Sequence, residues 1–257
     1  MKVNSVMISI IPLKTGSIYC DKGKTLTTNV DAGKMGNIPA IAWLIQTPTE
    51  KILVDTGMPE TKIASEKHYL GSSQLPGERI DQALHLHHIR PEEITTVIFT
   101  HLHWDHCQNG HFFPNAKFYV QKKELEFART PIGTYFRSYD HPGIGLAPSF
   151  EKYPLTIVDG DAQIAPGVRV ILTPGHSPGH QIVVVDTASG PYVIAGDAVL
   201  CYENLIPGVD GDFILPGRHK DTPETIAAIR TILSLAGEPS RVLPGHDEKV
   251  FRKKVYD

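Results

Sequence analysis

Residues 100–110 read THLHWDHCQNG, so His101, His103, Asp105 and His106 crowd into six positions. Imidazole nitrogens and carboxylate oxygens are donors for borderline divalent cations such as zinc. His101 and His103, two apart, point the same way in extended backbone, whereas the adjacent Asp105 and His106 diverge. A single ion is a poor fit for all four. The spacing favours two ions, one held by His101, His103 and a distant histidine, the other by Asp105, His106 and another. A further aspartate could lie between them with one oxygen toward each. Histidine-rich ligation that stops short of saturation leaves room for water or substrate, the mark of a catalytic site.

The distant partners can be sought where the chain repeats one local design. Four apolar runs end in a turn carrying His or Asp: TVIF before THLHWDH, RVIL before TPGH, YVIA before GD, and RVL before PGH. Reactive groups on loops at strand ends, held by a rigid sheet, are a common arrangement. This adds His176, Asp197 and His246 to the candidate metal ligands. Other histidines read differently. His85, His87 and His88 sit in a helical segment without carboxylate or cysteine partners and read as solvated. His180 follows His176 by four, but Ser177-Pro178-Gly179 breaks any helix between them. His180 is therefore expected to hydrogen-bond near a ligand rather than to be one. His68 and His111 read as structural, and His141 and His219 as pocket-loop residues at most.

The elements that must position these groups are mostly short strands. VMISII, AIAWLI, KILV, TVIF, KFYV, LTIV, VRVIL, IVVV, YVIA and RVL are rich in Val, Ile and aromatics and bounded by Gly, Pro or Asp. Helices are expected over 77–89, with Ile80, Ala83 and Leu84 on one face, and over 121–129. A third is expected over 222–236, with Thr222 as N-cap, Pro223 at the first helical position, an apolar stripe of Ile226, Ile229, Leu233 and Ala236, and Gly237 as stop. Strands alternating with helices imply an α/β layered fold with buried sheets. No linker divides the chain, so residues 1–257 read as a single domain. The long, Gly/Pro-punctuated segment 130–150 is a candidate pocket wall.

Composition narrows the partners. With 257 residues, 41% hydrophobic, 21% charged and a net charge of −3, the chain can bury a large core but offers no basic face. Neither nucleic acid nor a membrane is an expected partner. The N-terminal stretch lacks the pattern of a secretory signal, and no apolar run approaches ~18 residues. The three cysteines are scattered without a CxxC, which argues for a reducing, cytoplasmic setting.

The sequence HLHWDH, followed in order by GH, GD and GH, resembles the HxHxDH pattern of the metallo-β-lactamase superfamily. NIPAIAWLIQT (37–47), ILVDTGMPE (52–60), HLHWDHCQNG (101–110), TPGHSPGHQ (173–181) and GHD (245–247) are similar to its N-acyl homoserine lactone lactonases. The resemblance implies an αβ/βα sandwich, two mixed β-sheets face to face with helices outside. It implies one divalent ion on His101, His103 and His176, a second on Asp105, His106 and His246, and Asp197 bridging. Zinc is the expected metal, with Fe, Mn or Co compatible with the same donors. The implied reaction is hydrolysis of a lactone ring, a small-molecule substrate, with Asp105 relaying a proton from water to the leaving alkoxide. Relatives occur as monomers and homodimers. Asp55, in the DTG turn, would support the site or simply stabilise the turn.

One position departs from the pattern. Such lactonases carry a tyrosine three residues after the bridging aspartate, where this chain has Leu200; Tyr202, two further on, is the candidate to supply the hydroxyl. The nearest alternatives are other hydrolases of the superfamily. β-Lactam hydrolases generally lack the bridging aspartate, so Asp197 argues against them, and the short C-terminal tail argues against glutathione thioesterases. A mononuclear iron dioxygenase would leave Asp105 and His106 unexplained. A metal-binding protein without catalysis is the remaining alternative.

Overall fold

The computed structural model describes residues 8–208 and 211–257. Val6 and Met7, the first residues of the expected run VMISII, lie outside the described residues. Among these, eleven strands form two sheets. The first holds β1 (Ser9–Asp21), β2 (Met35–Gln46), β3 (Lys51–Val54), β4 (Thr96–Ile98), β5 (Lys117–Gln121) and β6 (Leu155–Val158), neighbours in that order. Its pairings are antiparallel from β1 to β3 and parallel from β3 to β6. The second sheet holds β7 (Ala162–Ala165), β8 (Val168–Leu172), β9 (Gln181–Thr187), β10 (Gly190–Gly196) and β11 (Val242–Pro244). There β10 and β11 are parallel and the other neighbours antiparallel. Helices are α1 (Lys22–Thr25), α2 (Thr61–Ile63), α3 (Ile80–His85), α4 (Lys122–Arg129) and α5 (Thr222–Ala236).

The layering follows from side-chain alternation along the strands. On β2, Ile41, Trp43 and Ile45 join Val168, Val170, Val183, Val185 and Ile194 of the second sheet in the core between the sheets. The intervening Ala42 and Leu44 face the other way, onto Ile80, Ala83 and Leu84 of α3 and Leu125 and Ala128 of α4. On the far side, Val184, Val193 and Val242 meet Ala228, Ile229 and Ile232 of α5. The result is helix, sheet, sheet, helix: two mixed sheets flanked by helices. Burial on both faces explains why so many strands read as unbroken apolar runs.

Helix α3 covers only Ile80–His85 of the expected 77–89, and three further details differ from the sequence-based expectation. Strand β7, AQIA, was not expected: it is short, carries Gln163 and is half exposed at the sheet edge, so alternation is weak. The N-cap of α5 is Asp221, whose carboxylate accepts from the Glu224 N–H at 2.9 Å, and Thr222 is already helical. The buried stripe is Thr225, Ala228, Ile229, Ile232 and Ala236, because Ile226 and Leu233 sit at the margin of the contact. Among the described residues no helix is long and apolar enough to cross a membrane.

Candidate metal centre and active site

Strand direction decides where the site forms. β3 and β4 run in parallel, as do β10 and β11, and β8 runs the same way as β10 because each is antiparallel to β9. The residues that follow their C-terminal ends are Asp55 after β3, His101–His106 after β4, His176 and His180 after β8, Asp197 after β10 and His246 after β11. Loops at the carboxyl ends of parallel strands share one rim, and there ligands gather.

The candidate ligands converge in two groups. His101, His103, His176 and Asp197 form one and Asp105, His106 and His246 the other, with the donor atoms of each within 4.8 Å of one another. All seven are buried. His103 Nδ1 lies 2.9 Å from His101 Nε2 and 3.0 Å from His176 Nε2. Asp197 divides its oxygens: Oδ2 lies 3.3 Å from His176 Nε2 and 3.8 Å from His101 Nε2. Its Oδ1 lies 3.1 Å from His246 Nε2 and 3.3 Å from His106 Nε2. Asp105 Oδ2 is 3.7 Å from both His106 Nε2 and His246 Nε2. Gly245 permits this approach, because a Cβ there would stand 2.8 Å from Asp197 Oδ1.

Hydrogen bonds on the outer nitrogens set the tautomers. His176 Nδ1–H donates to the Arg218 carbonyl at 2.7 Å and His246 Nδ1–H to the Pro39 carbonyl at 2.8 Å. His106 Nδ1–H donates to Asp55 Oδ2 at 2.8 Å. Thr100 Oγ1 donates to the same carboxylate at 2.8 Å, so it accepts from His101 Nδ1–H at 3.0 Å. Each of these four imidazoles is thereby left with its Nε2 lone pair aimed inward. Within the cluster, His106 Nε2 and Asp197 Oδ1 are buried without a hydrogen-bond partner. Buried lone pairs this close repel one another unless a proton or a cation lies among them. The donor set therefore fits divalent ions.

The electrostatics agree. Burial opposes charge on His106, yet the carboxylates of Asp197, Asp105 and Asp55 raise its pKa well above the usual imidazole range. His246 is likewise raised by Asp197 against the effect of burial. Burial would raise Asp197, but His246, His106 and His176 hold it well below the ordinary carboxylate range. Burial, with neighbouring imidazoles, lowers His101 and His103. A cation here competes with protons for the Nε2 atoms of His106 and His246, which couples binding to pH.

His180 takes the supporting place expected of it. Its Nε2 accepts the Asp197 N–H at 3.1 Å, which fixes the backbone that carries Asp197. Burial, then His176, lowers its pKa to about 3. The unfolded chain therefore takes up this proton near pH 6.5 while the folded protein refuses it until about pH 3. That contribution to stability is full above pH 6.5 and is lost as the pH falls toward 3. One proton corresponds to about 1.4 kcal/mol per pH unit. Denaturant unfolding of His180→Gln between pH 6 and 4 should show a slope shallower by about that amount; an unchanged slope would mean that His180 is not the group responsible.

A cavity of about 640 Å³ opens onto the centre, lined by His103, Asp105, His176, Asp197 and His246. Its walls include Ile18, Met35 and Ile38 of the first two strands, Tyr69 and Leu70, Trp104, Leu200, and Tyr135 from segment 130–150. Trp104 stacks on His68, ring centroids 4.3 Å apart, and both are buried. His68, which reads as structural in the sequence, also lines the cavity, its Nε2 3.1 Å from Asp140 Oδ1.

Tyr202 is the correction. It is not among the cavity-lining residues; its ring packs on the hydrophobic clusters near Tyr192 and Tyr256, with Lys249 Nζ 5.9 Å from its centroid. Its N–H donates to Asp247 Oδ2 at 2.9 Å, which turns the chain into a 3₁₀ segment, Tyr202–Leu205, and carries the ring away. Leu200 lines the cavity instead. Two further residues went unnoticed in the sequence. Glu124 looks like an ordinary charged residue of an amphipathic helix yet is fully buried, and Tyr69 has no motif around it.

Comparison with known proteins agrees with this geometry. The family model described as metallo-beta-lactamase superfamily matches residues 36–246. An N-acyl homoserine lactonase of Bacillus thuringiensis is 32% identical over 182 residues, covering 67% of this chain and 69% of the relative. The N-acyl homoserine lactonase AttM of Azorhizobium caulinodans is 29% identical across 93% of both chains. The crystal structure of a B. thuringiensis AiiA variant with N-decanoyl-L-homoserine at its active site superposes with a TM-score of 0.75, 26% identity and 96% coverage of each chain. The chain belongs to the metallo-beta-lactamase superfamily.

Proposed function

We propose that this protein is a dinuclear metal-dependent hydrolase that opens the ester ring of N-acyl homoserine lactones. The observation that carries the dinuclear reading is Asp197, whose two carboxylate oxygens address different ligand groups. In this reading His101, His103 and His176 hold one ion, Asp105, His106 and His246 the other, and Asp197 stands between them. When bound, two divalent cations supply Lewis acidity toward a carbonyl oxygen and acidify a water molecule. Zinc suits the imidazole and carboxylate donors, and Fe, Mn or Co suit them as well.

The chain's own residues do the rest. Asp105 takes the proton of the attacking water on a carboxylate oxygen and returns it to the ring oxygen as the acyl C–O bond breaks, giving a hydroxy acid. Leu200 offers no hydroxyl to the carbonyl, and Tyr202 does not line the cavity. The apolar wall of Ile18, Ile38 and Leu200 excludes water beside the reacting carbonyl. At the mouth, Met35 and Leu70 are 51% and 82% exposed, an apolar surface on which an acyl chain can lie. The whole apparatus is contained in one domain, and three buried free thiols suit a cytoplasmic setting.

The relatives named above, lactonases of the same family, support this substrate over others. Metal-loaded protein should be incubated with N-acyl homoserine lactones of graded acyl length, with thioesters and with phosphotriesters, following product by mass spectrometry. Ring-opened acyl homoserine is the expected product. Turnover of thioesters or phosphotriesters alone would overturn the lactone assignment.

A further inference from the structure

Glu124, on the first turn of α4, is 0% exposed, yet no basic side chain pairs with it among the described residues. Four donors surround its carboxylate instead. The Leu102 N–H and the Tyr139 hydroxyl donate to Oε1 at 3.0 and 2.9 Å, and the Ser177 hydroxyl and Gly179 N–H donate to Oε2 at 2.6 and 3.2 Å. A buried carboxylate that accepts this many bonds is a fixed strut rather than a labile group. Gly179 is what admits it, since a Cβ there would come within 2.0 Å of the Glu124 backbone nitrogen.

The identity of the donors gives the strut its meaning. Leu102 separates His101 from His103. Ser177 follows His176. The ring of Tyr139 packs edge-on against His103, centroids 4.6 Å apart. Leu102, Ser177 and Tyr139 each adjoin or touch ligands of one group, the one made by His101, His103 and His176. No bond from Glu124 reaches Asp105, His106 or His246, or a residue next to any of them in sequence. Those imidazoles are oriented separately, by Asp55 and by the Pro39 carbonyl. Asp55 also reaches His101 through Thr100, so it serves both groups, whereas Glu124 serves one.

We propose that Glu124 is a positioning residue that sets the affinity of the His101/His103/His176 cation position without acting on the Asp105/His106/His246 position. The inference rests on the two-ion reading given above but not on the lactone. Glu124→Gln keeps size and shape but turns an NH₂ group toward donors that need an acceptor, loosening His103 and His176 together. Supporting groups of this kind typically alter metal affinity about 10–100-fold.

The test is stepwise titration of metal-free full-length protein with Co²⁺ against a competing chelator, for wild type, Glu124→Gln and Tyr139→Phe. The exchangeable imidazole N–H resonances shifted by the paramagnetic ion report which position is filled, because His106 and His246 serve one position and three histidines the other. Wild type should take two ions. Glu124→Gln should weaken one step about 10–100-fold, and its first-bound ion should shift only the His106 and His246 resonances. Tyr139→Phe, which keeps the ring on His103 and deletes one donor, should shift affinity in the same direction by less. Equal weakening of both steps, with a lowered melting temperature, would reduce Glu124 to a general structural role and overturn the proposal; so would unchanged affinities, or loss at the other position. Fewer than two ions on wild type would overturn the two-ion reading and this proposal with it. Two ions on wild type and no lactone turnover would remove only the substrate assignment.

Discussion

Asp105→Asn is expected to lower kcat/KM for lactone opening by about 10²–10⁴-fold, the range for loss of a positioned proton carrier. That corresponds to about 3–5 kcal/mol of transition-state stabilisation. The amide keeps one oxygen facing His106 and His246, so the ligand geometry of that group is largely retained, but it cannot accept and return a proton. The variant should therefore lose rate out of proportion to metal. Initial rates on purified protein, set beside metal content and a thermal melt of the same sample, separate the two effects. Turnover near the wild-type value with both ions present would remove Asp105 from the proton path.

Asp197→Asn should have the larger effect on the centre itself. Its carboxylate faces both ligand clusters, with His246 and His106 on one oxygen and His176 on the other. An amide offers one oxygen and turns two N–H donors toward imidazole nitrogens on the remaining side. Without the shared anion, one ion should be lost and hydrolysis should fall on the order of 10³-fold or more, since the charge stabilisation a metal supplies is worth several kcal/mol. Metal analysis after desalting, with rates at saturating metal, checks this. A variant that still carries two ions and turns over normally would show that the aspartate does not join them.

Much of this centre was legible in the sequence because its signals are local. Each ligand-bearing loop follows a strand whose Val, Ile and Leu content marks it, and HLHWDH, PGH and GD stand immediately after those strands. The order of layers was less accessible. Alternation on β2 is invisible when both faces are apolar, and only the resemblance to a known family suggested two sheets packed face to face. Long-range pairing hid the rest. Nothing in QKKELEFAR distinguishes Glu124 from the solvated Glu126, because what buries it is Gly179, more than fifty residues away in sequence. Tyr202 failed for a related reason. Its position after Asp197 suggested the cavity, but Asp247 captures its backbone N–H and the chain turns off before the ring can reach the site. The α5 stripe was right at Ile229 and Ala236, but Thr225, Ala228 and Ile232 take the buried places expected of Ile226 and Leu233.

The most direct test of the central idea is the position of the ions. Crystals grown from metal-loaded protein should be measured on either side of the metal's absorption edge. Two anomalous peaks are expected, one among His101, His103 and His176, the other among Asp105, His106 and His246, with the Asp197 carboxylate between them. A single peak in fully metallated protein, or density with His176 or His246 turned away from the cluster, would contradict the account.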